Sequence, residues 1–405
     1  MGKKVLIIGN GFDLAHGLPT QYADFLEFSK RFCLLFKNNP AMEDYDEFKQ
    51  HHIDSWKGNE QIKNGILDLF KLRESTKIRQ KDGRYIDAFT LKDRMLDSFF
   101  VKLEKNIWYH YLLTLYENKK MRGVNWIDFE SEISGVIQII DAYCNNLEED
   151  NNEVFSRMQD ANEFTGKISL FYSKLYANGV SKTLPCEKFI NRLYDDLEAI
   201  TEALGIYLYK FVEKISIRQD RLFVNDIQPD YIISFNYTHT YQRLYDESIP
   251  VCYIHGECKD TERDVCDMVL GIDEYLDEDE RSTNTNMAIF KKFVQRIRKR
   301  NDTQYRIWHD EMEMSYERNV KMRSLSDEFD KDVSDVYVYG HSLDVTDRDV
   351  LELFLSPEYC SLHIYAKRKT NEGRLICNLI KIMKEDVLIK KSVEIPSKLD
   401  LEVLL

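Results

Sequence analysis

The sequence predicts an α/β fold with a largely parallel sheet, assembled from both ends of the chain around a large helical insertion. Three observations carry this prediction. Short apolar runs, typical of strands buried on both faces, occur near both ends of the 405-residue chain. Amphipathic helical patterns dominate its middle. The length also exceeds the roughly 250–300 residues at which a single hydrophobic core stops growing, so two units are expected.

Five apolar runs are predicted to form strands of one sheet. The first begins a few residues after the amino terminus, and the others follow the helical middle. They are Val5–Ile8, Tyr231–Phe235, Val251–Ile254, Val336–Tyr339 and Leu362–Tyr365. Because helical segments separate these runs, parallel pairing is expected.

The predicted core comprises residues 1–43 and 219–405, with an acidic helical excursion at about 273–330. Residues 44–218 are predicted to form the helical insertion, because apolar positions recur there at spacings of three and four. The clearest candidate helices of the insertion are Met95–Tyr116, Trp126–Leu147 and Glu187–Ile215.

Composition restricts the partners and the compartment. The net charge of −14 disfavours nucleic acid as a partner of the whole surface, and the basic run Lys291–Arg300 is interpreted as the solvated face of a helix. No apolar run approaches the ~20 residues that span a bilayer. Met1–Lys4 leads directly into a strand, so no signal peptide is expected. We therefore predict a cytoplasmic protein whose eight cysteines are reduced.

A glycine-rich turn follows the first predicted strand. Gly9, Asn10, Gly11 and Asp13 form the sequence GNGFD, and Gly17-Leu18-Pro19 comes shortly after it. Glycines at this place let the backbone approach a phosphate closely, and the next helix start offers N–H groups to an anion. A tight turn without a ligand explains the same pattern, and the glycines alone leave both interpretations open.

Polar residues end three later strands, where ligands of open α/β sheets bind. Asn236 and Thr238 follow one strand, and His255 follows another in the sequence IHG. Histidine is the side chain best suited to general base catalysis near neutral pH. The third strand ends in GHSLD, which contains Gly340 and Ser342. Structural alternatives remain: an Asx turn at Asn236, a structural histidine, and helix capping by Asp344 or Thr346.

Two further sets of residues are candidate sites. Cys252, His255, Cys258 and Cys266 lack the two paired ligand clusters of a four-ligand zinc site, so no metal is predicted. Asp128 and Glu130, in the sequence WIDFE, do not share a face of a helix. They are interpreted as the acidic first turn of a helix, with a role in lining the pocket as the alternative.

The ordered segments GNGFDLAHGLP, SFNYT, IHG and GHSL resemble the NAD-binding pattern of the sirtuins. The longer segments GNGFDLAHGLPTQYADFL, SFNYTHT and YGHSLDVTDRDV resemble the bacterial AbiH family, which is associated with abortive infection, a phage-defence response. The AbiH resemblance covers both ends of the chain. In the helical middle it covers little beyond Trp126–Glu130.

The chain departs from the sirtuin pattern at several positions. Asn10 replaces a small residue, Tyr22 stands near a usual arginine, and Thr238 replaces a usual aspartate. No zinc-binding cysteine quartet follows His255. Because of these departures, we predict consumption of NAD or sensing of a nucleotide rather than lysine deacylation.

The resemblance implies a sirtuin-like Rossmann core and an anti-phage protein that cleaves the nicotinamide–ribose bond of NAD. Asn236 and His255 would be catalytic. The residues that would bind NAD, as substrate or ligand, are Gly9, Asn10, Gly11, Asp13, Gly17, Pro19, Thr238, Gly340 and Ser342. The expected partners are a nucleotide, a phage-derived trigger and a second copy of the chain, without a membrane.

Two other functions remain open at this level. One is a non-catalytic nucleotide sensor whose helical insertion signals to a partner. The other is a nuclease or nucleotide hydrolase that uses Asp13, Asp344 or Asp347 with a divalent metal.

Overall fold

The predicted apolar runs form one parallel sheet in the computed structural model. The strands in chain order are β1 (Lys4–Ile8), β2 (Lys77–Arg79), β3 (Tyr85–Asp87), β4 (Tyr231–Ser234), β5 (Val251–Tyr253), β6 (Ser334–Tyr339), β7 (Cys360–Ala366) and β8 (Leu399–Val403). Six of them pair in the order β5-β4-β1-β6-β7-β8, whereas β2 and β3 form a separate antiparallel pair. All five pairings within the larger sheet are parallel.

The structure describes most of the chain. The described residues are 2–36, 44–75, 77–79, 85–87, 93–145, 170–171, 174, 186–217, 222–274, 285, 287–323, 333–366, 369–393 and 399–403. Parts of the predicted excursion, 275–284, 286 and 324–332, lie outside them, as do Leu147 and residues 218–221 at the end of the predicted insertion.

Helices make up most of the remaining described chain. The α-helices are α1 (Asn10–Ala15), α2 (Tyr22–Leu34), α3 (Tyr45–Phe48), α4 (Glu60–Ser75), α5 (Arg94–Glu104), α6 (Ile107–Met121), α7 (Phe129–Asn145), α8 (Cys186–Lys210), α9 (Leu222–Ile227), α10 (Thr240–Leu244), α11 (Lys292–Lys299), α12 (Gln304–Arg323), α13 (Arg348–Leu355), α14 (Lys369–Met383) and α15 (Glu385–Val393). A π-helix occupies Lys49–Ile53, and 3₁₀ turns occupy Val212–Lys214, Ala288–Phe290 and Val345–Asp347.

The chain divides into two units. The first contains residues 1–18, 216–257 and 300–405, and therefore the whole parallel sheet. The second contains residues 19–215 and 258–299. The prediction of a mixed α/β protein with its five strands in one parallel sheet is confirmed. The sixth strand, β8, was not predicted.

Burial on both faces explains the continuous apolar sequence of β1. Val5 and Ile7 pack into a core with residues of α12, α13, α14 and α15. Leu6 and Ile8 pack on the other side with Phe12 of α1 and with α9 and α10. Because alternate side chains of a strand face opposite ways, a strand covered on both faces needs apolar residues at every position.

The second unit is helical around an aromatic core. Phe25, Phe28 and Phe32 recur on one face of α2 at helical spacing and contact Phe99 of α5. Tyr207 of α8 contacts the first two of these phenylalanines. This pattern is the amphipathic period from which the helices were predicted.

Two lysines of the basic run, Lys291 and Lys292, are buried and paired rather than solvated. The buried Lys292 ammonium lies 2.7 Å from Glu130 of α7, and the buried Lys291 ammonium lies 2.7 Å from Glu274. The run Lys291–Arg300 is therefore not simply a solvated basic face. Asp128 accepts a hydrogen bond from the backbone N–H of Ser131 (3.2 Å), as expected of the acidic start of a helix.

All three predicted helices of the insertion have different limits in the structure, and the one predicted over Glu187–Ile215 ends at Lys210. The prediction of one helix over Met95–Tyr116 is wrong, because α5 ends at Glu104 and α6 begins at Ile107. Asn106 separates them and caps α6, since its side chain accepts from the backbone N–H of Tyr109. The helix predicted from Trp126 begins at Phe129.

Within the described part of the chain, every helix is too short or too polar to cross a lipid bilayer.

Candidate functional site

Four adjacent strands bring the sequence motifs together at one edge of the sheet. The motifs follow β5, β4, β1 and β6, which are neighbours in that order. Because neighbouring strands are parallel, their carboxyl ends lie at the same edge. The strand order also reverses at β1, since β4 and β5 extend to one side while β6 and β7 extend to the other. Ligands of open α/β sheets bind at such topological switch points.

The end of β4 is joined to the end of β1 by Asn236. Its side-chain amide donates a hydrogen bond to the carbonyl of Gly9 (3.0 Å), across 227 residues of sequence. The same carbonyl accepts from the backbone N–H of Phe12 at the start of α1 (2.8 Å). Asn236 is buried, and its side-chain oxygen is the acceptor that the amide retains for another group.

The turn after β6 packs directly on the glycine turn after β1. Gly340 has a φ of +71°, a left-handed conformation that favours glycine. Its carbonyl accepts a hydrogen bond from the backbone N–H of Gly11 (2.8 Å). A Cβ atom on Gly11 would lie 2.7 Å from the Gly340 Cα atom. Close packing of two backbones thus requires glycine at both positions.

Asp13 and Thr238 form a buried contact next to these turns. The Thr238 hydroxyl lies 2.5 Å from Asp13 Oδ2 and 3.1 Å from the Thr240 hydroxyl. An ionised carboxylate only accepts hydrogen bonds, so the threonine donates. Thr238 and Asp13 therefore tie the start of α1 to the segment that follows β4.

His255, at the end of β5, forms a buried pair with an aspartate from a distant segment. Its Nε2 lies 2.9 Å from Asp347 Oδ1, across 92 residues. The second carboxylate oxygen, Oδ2, lies 3.3 Å from Nε2 of His341. The side chains of His255, Asp347 and His341 are 6%, 10% and 5% exposed, so one carboxylate bridges two buried imidazoles.

Local structure fixes the positions of these three residues. His341 directly follows the Gly340 turn, and Asp347 ends the 3₁₀ turn that precedes α13. Asp344 begins that turn and accepts a hydrogen bond from the backbone N–H of Thr346. The Phe235 ring packs against both imidazoles, with centroid distances of 5.6 Å to His255 and 4.3 Å to His341.

The remaining residues of the predicted site occupy other surroundings. Asn10 is exposed at the start of α1, and Gly17 lies in the turn that ends α1. Pro19 belongs to the second unit, where its carbonyl accepts from the Tyr207 hydroxyl (2.8 Å). Ser342 is exposed, and its carbonyl accepts from the Asn378 side chain (3.0 Å).

Sequence reasoning did not assign His341 to the site and considered Asp347 only as a metal ligand. One signal could have identified them. His341 is the second residue after a predicted strand, and an acidic residue follows it six positions later, before a helix. Their pairing with His255 has no local sequence signal, because it depends on the neighbouring positions of the strands.

The three carboxylates considered for a metal have separate surroundings. Asp13 contacts Thr238, Asp344 contacts the backbone of Thr346, and Asp347 contacts two histidines. Within the described part of the first unit, one group of three possible metal ligands lies close together. The ligand atoms of His309, Asp310 and Glu313 in α12 are all within 4.8 Å of one another. Two of these residues are exposed acids.

Among the cysteines of the candidate zinc set, Cys252 and Cys258 are buried and Cys266 is partly exposed. Burial raises the pKa of Cys252 to about 12 and that of Cys266 to about 11. Without a metal ion, both thiols are therefore protonated at neutral pH.

Comparison with known proteins identifies the family. The family model described as bacteriophage abortive infection AbiH matches residues 5–362. No curated protein and no solved structure matches the chain. The match spans β1, the second unit and the segments that supply Asn236, His255 and Asp347. The chain therefore belongs to the AbiH family, which implies a role in abortive infection by bacteriophage.

Proposed function

We propose that this chain acts in abortive infection by hydrolysing the nicotinamide–ribose bond of NAD, on a core of the sirtuin-like Rossmann type. The observation that carries the proposal is the His255–Asp347 pair at the carboxyl edge of the sheet, beside the switch point at β1. A nucleotide site is expected at this edge. An imidazole held by a carboxylate is a group that takes a proton during catalysis.

Hydrolysis of this bond depends more on a general base than on a general acid. The bond between C1′ of the ribose and the nicotinamide nitrogen breaks, and its electron pair neutralises the positively charged ring. Nicotinamide therefore leaves without needing a proton. A water molecule then bonds to C1′ of an oxocarbenium-like state, as in other glycoside cleavages. His255 would take the proton that this water loses.

The other predicted residues would bind and orient the substrate. The Asn236 side-chain oxygen would accept a hydrogen bond from a ribose hydroxyl or from the water, while its amide stays on Gly9. Positioning of this kind contributes strongly to catalysis because it removes the entropy of aligning the reactants. The turns that contain Gly9, Gly11 and Gly340 would lie along the dinucleotide, and Ser342 would hold its adenosine side.

A nucleotide sensor is the second candidate, and burial of the site favours it. The side chains of His255, Asp347 and His341 are at most 10% exposed, and those of Asp13 and Asn236 contact other parts of the first unit. A ligand would have to displace some of these contacts. In a sensor, this rearrangement would be the signal. In an enzyme, the intact contacts would keep the site inactive before infection.

The experiment compares nicotinamide release by purified wild-type protein and by His255→Gln, with and without EDTA. Lysate of phage-infected cells is added in a parallel series, because a defence toxin must be inactive before infection. His363→Gln is the matched control, because His363 also contacts an aspartate. Its Nε2 atom lies 3.3 Å from Oδ1 of Asp335, but this pair lies within the strands β7 and β6.

We expect metal-independent release by the wild type and by His363→Gln. His255→Gln should lose about 10²–10⁴-fold in rate, the usual contribution of a general base, while it still binds NAD in calorimetry. Binding of NAD without release by the wild type, even with infected lysate, would favour the sensor. Absence of both binding and release would overturn the NAD proposal.

A further inference from the structure

Hydrogen bonds determine which nitrogen of His341 carries the proton. The backbone N–H of Leu343 donates to His341 Nδ1 (2.9 Å). A backbone N–H cannot accept, so Nδ1 has no hydrogen. A neutral imidazole has one N–H, which must then be at Nε2. That nitrogen lies 3.3 Å from Asp347 Oδ2, within ion-pair distance of the carboxylate. His341 is therefore restricted to the Nε2–H tautomer by a contact that does not involve His255.

The same carboxylate sets the tautomer of His255. Asp347 Oδ1 lies 2.9 Å from His255 Nε2. An ionised carboxylate has no hydrogen to donate, so His255 Nε2 carries the proton. In the neutral ring, Nδ1 is then the nitrogen that can take a proton from a reacting group. In a histidine, the hydrogen bond made by one ring nitrogen decides which of the two nitrogens carries the proton.

We propose that Asp347 is a positioning residue that holds His255 in the Nε2–H tautomer. His341 in turn fixes the orientation of the Asp347 carboxylate. The role of His255 Nδ1 as the base rests on the proposed NAD cleavage. The tautomer assignment does not, because it follows from two hydrogen bonds and from the distance between His341 Nε2 and Asp347 Oδ2. The two parts can therefore fail separately.

Asp347→Asn has a specific consequence. Asparagine replaces one acceptor oxygen by an NH₂ donor. His341 keeps its Nε2–H because Leu343 still occupies Nδ1, so the asparagine oxygen must face His341. Its NH₂ group then faces His255 Nε2, which must accept. The proton of His255 moves to Nδ1, and the nitrogen needed as the base becomes a donor.

A double variant should reverse this change. In His341→Gln combined with Asp347→Asn, the glutamine oxygen can accept from the asparagine NH₂ group. The asparagine oxygen is then available to His255, which returns to the Nε2–H tautomer. A purely structural role for Asp347 predicts no such recovery, since the double variant removes more native contacts than the single one.

The test uses the full chain labelled with ¹⁵N in its nine histidines. Ring ¹⁵N shifts distinguish protonated from unprotonated nitrogens, and His255→Gln assigns the His255 signals. Asp344→Asn is the matched control, because it makes the same chemical change three residues earlier in a group that contacts Thr346. Nicotinamide release is measured on the same samples.

We expect the Nε2–H form of His255 in the wild type and in Asp344→Asn, the Nδ1–H form in Asp347→Asn, and recovery in the double variant. Release by Asp347→Asn should fall about 10⁴-fold, as the same change does in a Ser–His–Asp triad. An Nδ1–H form of His255 in the wild type, or an unchanged tautomer in folded Asp347→Asn, would overturn the inference. If Asp347→Asn does not fold, the wild-type spectrum decides. If the expected tautomers are observed but no variant and no wild-type sample releases nicotinamide, the result would support the tautomer inference and count against NAD cleavage.

Discussion

Gly11 and Gly340 lie so close together that neither position has room for a Cβ atom. Gly11→Ala should therefore destabilise the first unit, although alanine favours helix at the start of α1. We expect a loss of about 1–3 kcal/mol, the usual cost of overpacking. Chemical denaturation followed by circular dichroism measures it.

Gly373→Ala is the control for this substitution. Gly373 lies within α14, and a Cβ atom there meets nothing within 4 Å. That substitution should stabilise by about 0.5–1 kcal/mol, because alanine is the better helix former. If Gly11→Ala is as stable as the wild type and only binds NAD less well, then phosphate approach rather than packing requires the glycine.

Asp24 gives the second unit a defined pH dependence. Burial raises the pKa of its carboxyl group from 3.8 to about 6, while a backbone hydrogen bond from Gln21 opposes that shift. The folded chain thus binds the proton more tightly than the unfolded chain. The stability that this group contributes is present below about pH 4 and is lost as the pH rises through 6.

Asp24→Asn should therefore be more stable than the wild type at pH 7.5, by about 1–3 kcal/mol, with the difference shrinking towards pH 4. Asparagine keeps an oxygen that can accept from Gln21. Asp97→Asn, at an exposed aspartate in the first turn of α5, makes the same change in net charge. A constant difference between Asp24→Asn and the wild type from pH 4 to 7.5, in thermal unfolding, would refute the assignment.

The polar residues of the site could be predicted singly but not as pairs. Asn236, His255 and Gly340 follow apolar runs, and a strand end followed by a polar residue or glycine is visible in the sequence. The contact between His255 and Asp347 spans 92 residues and depends on the order of the strands. From the sequence alone, Asp347 was therefore a candidate metal ligand only, and its pairing with His255 depended on placing the strands.

At the level of secondary-structure elements, Asn106 determines where α5 ends and α6 begins. Its side-chain oxygen accepts from the Tyr109 N–H, and its amide donates to the carbonyl of Asp196 (2.6 Å) in α8. Asn106→Ala removes the cap and leaves a buried carbonyl without this donor. We expect a loss of about 2–3 kcal/mol in the free energy of unfolding.

Asn59→Ala is the comparison for this prediction. Asn59 caps α4 by accepting from the backbone N–H of Gln61 (2.9 Å), at a more exposed position. Loss of this cap alone should cost about 1 kcal/mol. Equal losses in the two variants, measured in urea, would show that the contact between Asn106 and Asp196 adds nothing.

The elements that could be predicted are those with an uninterrupted pattern. Val5–Ile8 is apolar at every position because both faces of β1 are covered. The break between α5 and α6 was missed because the apolar spacing continues across it, whereas the cause is the capping bond of Asn106. Strand β8 was missed because its sequence, LDLEV, alternates instead of forming a continuous apolar run.

At the level of the whole molecule, the sheet that carries the site exists only when three segments of the chain come together. Residues 1–18, 216–257 and 300–405 form the first unit, and each supplies one part of the carboxyl edge. Folding of this unit must bring together residues far apart in sequence, which costs loop-closure entropy before the contacts form. The site is thus a property of the folded chain, and no single segment contains it.

The proposed NAD cleavage predicts that the intact protein protects bacteria through the residues proposed to act in the purified protein. Cells that produce the wild type should lose NAD after phage infection and release few phage. Cells that produce His255→Gln should keep their NAD and release phage as cells without the protein do, because hydrolysis falls by about 10²–10⁴-fold. His363→Gln should behave as the wild type. NAD content and phage titre are measured together over one infection cycle. Protection by His255→Gln at the wild-type level, with NAD unchanged in both, would separate the defence role from NAD cleavage and favour nucleotide sensing.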